Sequence, residues 1–402
     1  MKKYDVIIVG GGASGMMCAI AAKEKNPNHN IAIIEKQDRI GRKLLSTGNG
    51  RCNLLNLNVD KSKYDGSFRK YIDLLIDKNC PVDMLDYFSS HGLSAKEETE
   101  GRVYPVSNHA SSVLDVLRFN IENLGIETIC GEAVSDIRKN GKFFEIKTNN
   151  NVFSAQKVVV STGTQASSKL GGDNSGLNIL KNIGIKTAPS YPALCPVKVK
   201  SNLLPSLKGL RVKGEVSLYD GKSLVDKESG EIQFTENALS GICVFNLSNK
   251  LNKVRKPVLK INLLPFTDDV YALIKRNSVI FSRQTAENMF TGILQKKLAL
   301  AVLKQAQIKP SASINSLTQS DYIRLCEILT AWNFEVSGNG GYEKAQVAGG
   351  GVLGEEIIPE TMESRKIKNL YICGEALDII GKCGGYNLYF AFASGKTVGE
   401  SL

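Results

Sequence analysis

The 402-residue sequence has no run of about 18 consecutive apolar residues, so it predicts no membrane-spanning helix. Its nine cysteines are scattered with no C-x-x-C pair, which argues against a zinc site and against a disulfide framework. Near the start, two lysines are followed by apolar residues, but a glycine turn breaks that run and no cleavage pattern follows. These absences predict a protein of the reducing cytoplasm with no bound metal.

Charge of one sign is not concentrated in any stretch. The net charge is +11, yet Lys and Arg never form a block of five or six residues. This spread favours solubility and an affinity for anionic cofactors, with nucleic-acid binding as the alternative. Histidine is scarce, and none of His29, His91 and His109 falls in a recognisable motif, so no catalytic base stands out. The length predicts two or three domains.

The first strand and the turn after it are the most informative stretch. Residues 3–9 are apolar and rich in β-branched side chains, residues 10–15 fit G-x-G-x-x-G, and residues 16–25 have a helical pattern. Strand, glycine turn and helix in this order are the context of a dinucleotide-binding fingerprint, whose helix N-terminus offers N–H groups to a pyrophosphate. The alternative is a glycine turn that binds no ligand.

A second strand, residues 31–34, ends in Glu35, which lies 20 positions after Gly15. An acid at this distance accepts hydrogen bonds from ribose hydroxyls and disfavours a 2′-phosphate. The loop that follows, residues 41–53, contains glycines, asparagines and three cations. The cations suit phosphate, and the glycine and asparagine backbone suits close approach to a flat ligand. A solvated basic loop is the alternative, but the position directly after Glu35 favours a cofactor loop.

Family resemblance enters at this loop. Gly-Arg-Lys followed by Ser-Thr-Gly-Asn-Gly-Arg-Cys-Asn at 41–53 resembles the hallmark loop of the HI0933-like, or aminoacetone-oxidase-like, family of bacterial FAD-binding oxidoreductases. The resemblance continues at 102–105, at 157–164, where the superfamily has its second cofactor motif, and at 230–241. It implies that the backbone near Val134 faces adenine and that residues 374–387 form the third cofactor motif, with acids near the ribityl chain.

The C-terminal part of the chain predicts the flavin contacts. Glycines 384 and 385 permit close backbone approach, Asn387 suits an N-cap, and the helix behind it would direct its positive end at the flavin pyrimidine ring. A second G-x-G-x-x-G at 349–354 follows no convincing strand and precedes no helix, so it is interpreted as a chance match.

The middle of the chain has a different pattern of apolar and polar residues. Residues 212–235 alternate apolar and polar side chains, with turns predicted at 220–221 and 228–230, and residues 267–332 are helical in pattern. The predicted fold is therefore α/β: a Rossmann-like FAD-binding domain of the glutathione-reductase type from residues 1–190 and 340–402. Residues 191–265 are expected to form an inserted antiparallel β layer and residues 266–339 a helical subdomain.

The resemblance implies an FAD-dependent oxidoreductase with non-covalent FAD. Two reactions stay open, amine oxidation with O2 and reduction of a C=C or C=O bond with NAD(P)H as a transient donor; the alternative class is a flavoprotein that modifies tRNA or another nucleic acid. Catalytic candidates by proximity alone are Tyr386, Cys383 and Lys43. The residues expected to bind the cofactor are Gly10, Gly12, Ala13, Ser14, Gly15, Glu35, Lys36, Arg42, Lys43, Ser46, Gly48, Asn49, Cys52, Asn53, Val134, Thr162, Gly163, Gly374, Glu375, Asp378, Gly385, Tyr386 and Asn387.

Overall fold

A computed structural model describes residues 1–402, which form two compact units. Unit 1 comprises residues 1–193 and 345–402, and unit 2 comprises residues 194–344. Both ends of the chain thus build the first unit, and the middle of the chain builds the second. None of the helices combines the length and apolar character needed to cross a membrane.

The N-terminal part of unit 1 contains eleven strands and five helices. The strands are β1 Lys2–Val9, β2 Ile31–Glu35, β3 Leu55–Asn56, β4 Tyr64–Asp65, β5 Ala95–Glu97, β6 Arg102–Pro105, β7 Glu127–Cys130, β8 Val134–Asn140, β9 Phe143–Thr148, β10 Val152–Val160 and β11 Thr187–Ala193. The helices are α1 Ala13–Lys25, α2 Ile72–Lys78, α3 Pro81–Ser90, α4 Ala110–Asn123 and α5 Ser175–Asn182.

Unit 2 and the C-terminal part of unit 1 supply the remaining elements. Unit 2 contains β12 Val197–Lys200, β13 Arg211–Asp220, β14 Ser223–Phe234, β15 Ala238–Ser240, β16 Pro257–Asn262 and β17 Trp332–Asn339, with α6 Leu204–Leu207, α7 Ile242–Ser248, α8 Val270–Ile280, α9 Lys296–Gln305, α10 Gln319–Ala331 and α11 Gly341–Lys344. Unit 1 then ends with β18 Val347–Val352, β19 Ile357–Ile358, β20 Glu363–Ser364, β21 Leu370–Ile372, β22 Ile380–Gly381 and α12 Tyr386–Ser401.

The main sheet of unit 1 is organised around β1, which lies between β10 and β2 and runs parallel to both. The strand order is β19-β20-β21-β10-β1-β2-β7, and β8 and β9 join it as an antiparallel hairpin beside β10. Residues 6–9 are buried, as expected for a central parallel strand covered on both faces. This is the Rossmann-like α/β fold that the sequence predicts.

Strand β10 pairs with three strands. Its first half pairs antiparallel with β9, residues 158–160 pair parallel with β21, and residues 153–160 lie parallel beside β1. The sequence predicts a hairpin strand at 152–154 and a separate buried strand from 157, but the two are one continuous strand. Gln156 and Lys157 interrupt the apolar pattern but not the strand, and their side chains reach polar partners, Asp5 and the carbonyl of Leu402.

Helices α1 and α12, from opposite ends of the chain, pack closely against each other. A Cβ added to Gly395 would lie 2.3 Å from the carbonyl oxygen of Ser14, and one added to Gly399 would lie 2.6 Å from Cβ of Ala21. Glycine at these two positions therefore permits backbone contact between the helices. This packing holds α12, from the end of the chain, against the helix that follows the glycine turn.

Unit 2 is a closed six-stranded antiparallel barrel in the order β12-β15-β14-β13-β16-β17. The predicted hairpin turn at 220–221 is confirmed, since β13 and β14 pair on either side of it. The turn predicted at 228–230 is wrong: these residues lie inside β14, where Gly230 pairs with Gly214. A glycine and two polar residues mimic a turn, but the barrel pairing keeps them extended.

The helices of unit 2 share one hydrophobic cluster with the barrel, which includes Leu259 of β16, Leu298 of α9 and Leu325 of α10. Division of this unit into a β-rich domain and a helical subdomain stays a prediction. The sequence predicts N-caps at Thr267 and Ser320, but the observed caps are Asp269 for α8 and Thr318 for α10, where Thr318 forms a capping box with Asp321.

Candidate functional site

The glycine turn between β1 and α1 is built for close approach. Gly10 has a φ of +105°, and a Cβ there would lie 2.7 Å from the carbonyl oxygen of Ser161; a Cβ on Gly15 would lie 2.1 Å from the carbonyl oxygen of Gly10. A Cβ on Gly12, by contrast, would meet no protein atom within 4 Å. Gly12 precedes α1, which starts at Ala13 and not at Met16, and no side chain caps this end. An open, uncapped helix N-terminus suits a pyrophosphate.

Glu35, at the end of β2, contacts this turn. One carboxylate oxygen accepts a hydrogen bond from the N–H of Gly11 at 2.8 Å, and the other accepts from the N–H of Gln37 at 2.9 Å. Two backbone donors fix the carboxylate at the edge of the turn, and oxygens with free lone pairs can still accept from ribose hydroxyls. Val134, expected to lie beside adenine, is buried at the start of β8.

The cations near Glu35 have partners within the protein. Lys36 contacts Asp173, and Arg42 donates to the side chain of Gln37 at 2.6 Å and lies 3.5 Å from Asp38. Gln37 was not among the residues singled out in the sequence. Its backbone oxygen also accepts from Gly131 at 2.8 Å, so it ties β2 to the segment after β7. A lone glutamine in a polar stretch gives no sequence signal for this role.

The loop at 41–53 contains short 3-10 turns interrupted at Thr47, Gly48 and Asn49. Its start is fixed by a hydrogen bond from the N–H of Gly41 to the carbonyl of Gly11 at 2.8 Å. Ser46 and Gly48 are on the exposed part of the loop, and Asn49 adopts a positive φ of 56°. The loop thus starts beside the fingerprint turn, and its residues 46 and 48–50 are exposed.

Arg51 holds the return of this loop. Its guanidinium lies 4.1 Å from the ring centroid of Tyr104, donates to Asn108 at 2.7 Å and to Glu98 at 2.5 Å. The ion pair and the cation–π contact restrain a loop that has few apolar side chains of its own. Tyr104 belongs to the 102–105 segment that resembles the family, and this contact gives that segment a physical role.

Glu375 joins the loop at 41–53, the second cofactor motif at Thr164 and strand β18 at Ala348. One of its carboxylate oxygens accepts from the hydroxyl of Thr164 at 2.8 Å and from the N–H of Ala348 at 2.9 Å, and the other pairs with Lys43 at 2.7 Å. We call Lys43, Thr164, Ala348 and Glu375 the Glu375 network. Gly163 lies beside it with a φ of +69°, and the nearest atom to a Cβ there would be Glu375 Oε2, at 3.9 Å.

Asn53 and Gly385 connect the loop to the start of α12. With its amide oriented to satisfy both partners, Asn53 accepts from the N–H of Gly385 and donates to the carbonyl of Leu55, both at 3.2 Å. Gly385 has a φ of +102°, and a Cβ there would lie 2.5 Å from the backbone of Leu55. Asn56, which the sequence analysis missed, is buried and donates to the carbonyl of Gly384 at 2.8 Å.

Two residues of the third motif have structural partners. The carboxylate of Asp378 accepts from the N–H of Ser67 at 2.9 Å and from the N–H of Gly350 at 3.1 Å. Asn387 is not the N-cap: Gly385 precedes α12, and the Asn387 amide accepts from the N–H of Gly381 and donates to its carbonyl, both at 2.8 Å. The expected N-cap is therefore corrected to an anchor between α12 and β22.

The remaining candidates differ in their chemistry. Cys52 is fully buried, and burial raises the pKa of its thiol to about 11, so it stays protonated at neutral pH. Tyr386 is 8% exposed, and burial raises the pKa of its phenol above the ordinary value, opposed by the nearby cations Arg102 and Lys382. Cys383 contacts the side chain of Gln346 at 3.7 Å. Ser14 and Gly374 are close neighbours, since a Cβ on Gly374 would lie 2.3 Å from Ser14 Oγ.

The segments around the glycine turn, Glu35, the loop at 41–53 and the start of α12 thus come together in unit 1. Gly12 and Gly163 leave open positions on the protein side, and the donors and acids fit the phosphates and hydroxyls of a dinucleotide. The fold and this arrangement define the class: the chain has an FAD-binding Rossmann-like fold with antiparallel strands added to it.

The chain belongs to the family described as HI0933-like protein Rossmann domain, whose model matches residues 4–401. It is similar to the 3-dehydro-bile acid Δ(4,6)-reductase of Clostridium scindens, with 33% identity over 98% of this chain and 98% of that protein. It is also similar to the ribosomal RNA dihydrouridine synthase of Escherichia coli, with 29% identity over 100% of this chain and 98% of that protein. These findings identify an FAD-dependent oxidoreductase.

Two solved structures share the fold. The quinol fumarate reductase of Escherichia coli aligns with a TM-score of 0.51 and 15% identity over 100% of this chain and 70% of that one. The 3-ketosteroid Δ1-dehydrogenase of Sterolibacterium denitrificans aligns with a TM-score of 0.50 and 12% identity over 99% of both chains. At identities this low, the comparison shows a shared fold alone.

Proposed function

We propose that this protein reduces a carbon–carbon double bond conjugated to a carbonyl group, with NAD(P)H as the electron donor and non-covalently bound FAD as the carrier. Two relatives that match nearly the whole chain support this reaction. One is named for reducing the 4,6 double bonds of a 3-oxo bile acid, and the other for forming dihydrouridine, which is uridine with its C5–C6 bond saturated. In both molecules the reduced bond is conjugated to a carbonyl, and this shared chemistry carries the proposal.

The residues of unit 1 support a binding mode for FAD. The uncapped start of α1 at Gly12 would hold the pyrophosphate, and Glu35 would accept from the adenosine ribose. The Glu375 network and the turn at Gly385 would hold the ribityl chain and the ring. When bound, FAD supplies a hydride donor and acceptor at flavin N5.

Reduction of a conjugated double bond needs one hydride at the β-carbon and one proton at the α-carbon, and it consumes one NAD(P)H. Among the three catalytic candidates, Tyr386 suits the proton transfer. Its raised pKa keeps the phenol protonated at neutral pH, whereas the Lys43 ammonium is engaged by Glu375. We therefore propose Tyr386 as the proton donor, re-protonated from solvent after each turnover.

The same reaction on uracil within RNA is the second candidate. The relative named as a ribosomal RNA dihydrouridine synthase and the net charge of +11 favour it. The broader expectation of nucleic-acid modification is thereby narrowed to reduction of the C5–C6 bond of uracil. Amine oxidation with O2 rests on the family resemblance alone.

Anaerobic half-reactions test these reactions. The FAD-loaded protein is reduced with NADPH or NADH, followed by absorbance, and then mixed without oxygen with a 3-oxo-4,6-diene steroid, with uridine-containing RNA or with buffer. We expect rapid flavin bleaching by a nicotinamide and re-oxidation by a conjugated acceptor, with a product two mass units heavier than the acceptor. Bleaching by aminoacetone and re-oxidation by O2 alone would overturn the proposal in favour of an amine oxidase.

The variant Tyr386→Phe separates binding from proton transfer. It keeps the ring that packs edge-on against Tyr64 at 6.2 Å between centroids and removes only the hydroxyl. We expect unchanged reduction by NADPH, re-oxidation by the conjugated acceptor slowed by roughly 10²-fold or more, and loss of the alkaline limb of the pH profile. Unchanged re-oxidation at every pH would exclude Tyr386 as the donor.

A further inference from the structure

Positive charge is divided unequally between the two units. Unit 2, with residues 194–344, carries 21 Lys and Arg against 13 Asp and Glu, a net +8 of the chain's +11. Unit 1 carries 30 against 27, a net +3, although it is the larger unit and contains the anionic-cofactor site. Affinity for a dinucleotide therefore does not explain most of the excess charge.

Much of the excess in unit 2 gathers at one end of the barrel. The turn between β13 and β14 lies beside the loop before β16, because the N–H of Gly221 donates to the carbonyl of Lys256 at 3.0 Å and the N–H of Lys256 donates to Asp220 at 2.9 Å. Residues 219–227 and 249–260 together contain seven cations and two acids. We call the cations at this end that have no carboxylate partner the basic tip, which consists of Lys222, Lys253, Arg255, Lys256 and Lys260.

The acids nearby are already engaged. Asp226 pairs with Lys250 at 2.6 Å, and Asp220 accepts from the backbone of Lys256. On β17, Glu335 lies opposite Val258 and contacts Lys200. The charges of the basic tip are thus not neutralised within the barrel, and they repel one another unless an anion lies against them.

The basic tip also has surface that can contact bases. Lys260 lies over the ring of Tyr219 at 4.5 Å from its centroid, on the neighbouring strand. Leu224 and Val225, just past the turn, are 55% and 37% exposed. Cations beside an aromatic ring and exposed apolar side chains are the combination that binds single-stranded RNA, through phosphate contacts and base stacking.

We propose that the basic tip is an RNA-docking surface that recruits an RNA through the phosphates and bases of a single-stranded loop. The inference deepens the proposed function, on which it rests only for the identity of the reduced base, since it names RNA as the molecule that carries that base. Sequence inspection missed this surface because its cations come from two segments about 30 residues apart, which the barrel register joins. Neither segment alone is a charged block.

Two triple variants with equal charge change test the surface. One neutralises the basic tip, as K253Q/R255Q/K256Q, and the matched control neutralises three exposed cations of the same unit, as K297Q/K304Q/K309Q. Both are compared with the wild type as FAD-loaded protein, with flavin content and Tm matched. Binding of a fluorescent RNA hairpin with a uridine-rich loop is measured between roughly 50 and 200 mM KCl, without any nicotinamide. Phosphatidylglycerol vesicles serve as a second anionic probe.

We expect the basic-tip variant to lose roughly tenfold or more in RNA affinity and to reduce the slope of log affinity against log salt by about 2, since each phosphate contact contributes about 0.7–0.9. The control should stay close to the wild type. Equal losses in both variants, no saturable RNA binding by the wild type, or binding to vesicles alone would each overturn the proposal. Because no turnover is measured, failure of RNA docking is distinguishable from failure of double-bond reduction.

Discussion

At the scale of the single residue, Glu375 connects its own segment to three others, through Lys43, Thr164 and Ala348. Its carboxylate satisfies a hydroxyl, a backbone N–H and an ammonium group, and its side chain is only 20% exposed. A carboxylate that accepts several hydrogen bonds in a poorly solvated place cannot be replaced without leaving donors unpaired. The residue therefore fixes the relative positions of the loop at 41–53, residue 164 and β18.

Glu375→Gln should weaken FAD binding by about 1–3 kcal/mol, because the neutral amide loses the ion pair and can turn an NH2 group towards Lys43. The measurement is titration of apoprotein with FAD by flavin fluorescence. Glu355→Gln is the control, since its ion pair with Lys70 is about half exposed on both sides and should contribute about 0–1 kcal/mol. Equal FAD affinities for the two variants would show that Glu375 does not organise the site.

Gly385→Ala should unfold at a clearly lower temperature than the wild type and retain less flavin. The added Cβ would lie 2.5 Å from the Leu55 backbone, and the backbone is in the left-handed region. Gly92→Ala separates the two causes, because Gly92 has a φ of +92° but no atom within 4 Å of an added Cβ. Conformational strain alone costs about 1–2 kcal/mol, and the Gly385 variant should exceed that. Equal melting temperatures for the Gly385→Ala and Gly92→Ala variants would contradict the close approach of Gly385 to the Leu55 backbone.

At the scale of the element, the pattern of the first 35 residues was sufficient for prediction. Strand β1, the glycine turn, α1 and β2 follow from local signals, and the structure differs only by starting α1 at Ala13. The continuity of β10 and the extended backbone at 228–230 in β14 are not predicted by the sequence, and the physical reason is the same for both. Each is held extended by partners distant in sequence, and local propensity does not contain that pairing.

The cofactor roles of the site residues stay predictions, and the structure shows only which of these residues lie in the same unit. The glycine turn, Glu35 and Glu375 stand in motifs of fixed spacing, and the structure brings them into one unit. Gln37 and Asn56 were missed because an amide that bridges backbone groups can occur at any polar position. The role of Asn387 was misjudged because an asparagine before a helix pattern fits a cap equally well, and only the position of Gly381 decides between them.

The corrected role of Asn387 has a direct test. An N-cap requires only an acceptor, so Asp would replace Asn there with little loss. The anchor to Gly381 requires a donor as well, because the amide donates to the Gly381 carbonyl at 2.8 Å. We expect Asn387→Asp to destabilise the protein by about 1–3 kcal/mol, close to the effect of Asn387→Ala, in chemical denaturation. An Asp variant as stable as the wild type would restore the capping role.

At the scale of the whole molecule, the two units have separate hydrophobic clusters and separate charge. The cluster of unit 1 includes the strands of the main sheet and the helices α1 and α12, and that of unit 2 includes the barrel strands and their helices. Closure of the barrel could not be predicted, because it depends on pairing of β12 with β17, strands more than 130 residues apart. Alternation in the sequence predicts strands but not which strands become neighbours.

The purified protein should carry about one FAD per chain, released intact by acid precipitation. The physical reason is that the residues around Gly12 and Glu35 offer hydrogen bonds and a helix dipole, and Cys52, which the sequence placed against the cofactor, is a protonated buried thiol. The measurement is the absorbance of the supernatant and of the pellet. Yellow colour that stays with the pellet would indicate a covalent link and contradict this expectation.

Lys43 and Glu375, which form an ion pair, are 332 positions apart in the chain. A ribosome that adds about 5–20 residues each second makes the second partner roughly 15–70 s after the first. During that interval the sheet lacks β21 and α1 lacks α12, and the whole sequence of the barrel unit, residues 194–344, is synthesised before Glu375. Synthesis therefore finishes the unit in the middle of the chain first, and unit 1, with the candidate cofactor residues, is complete only when the last residues have been translated.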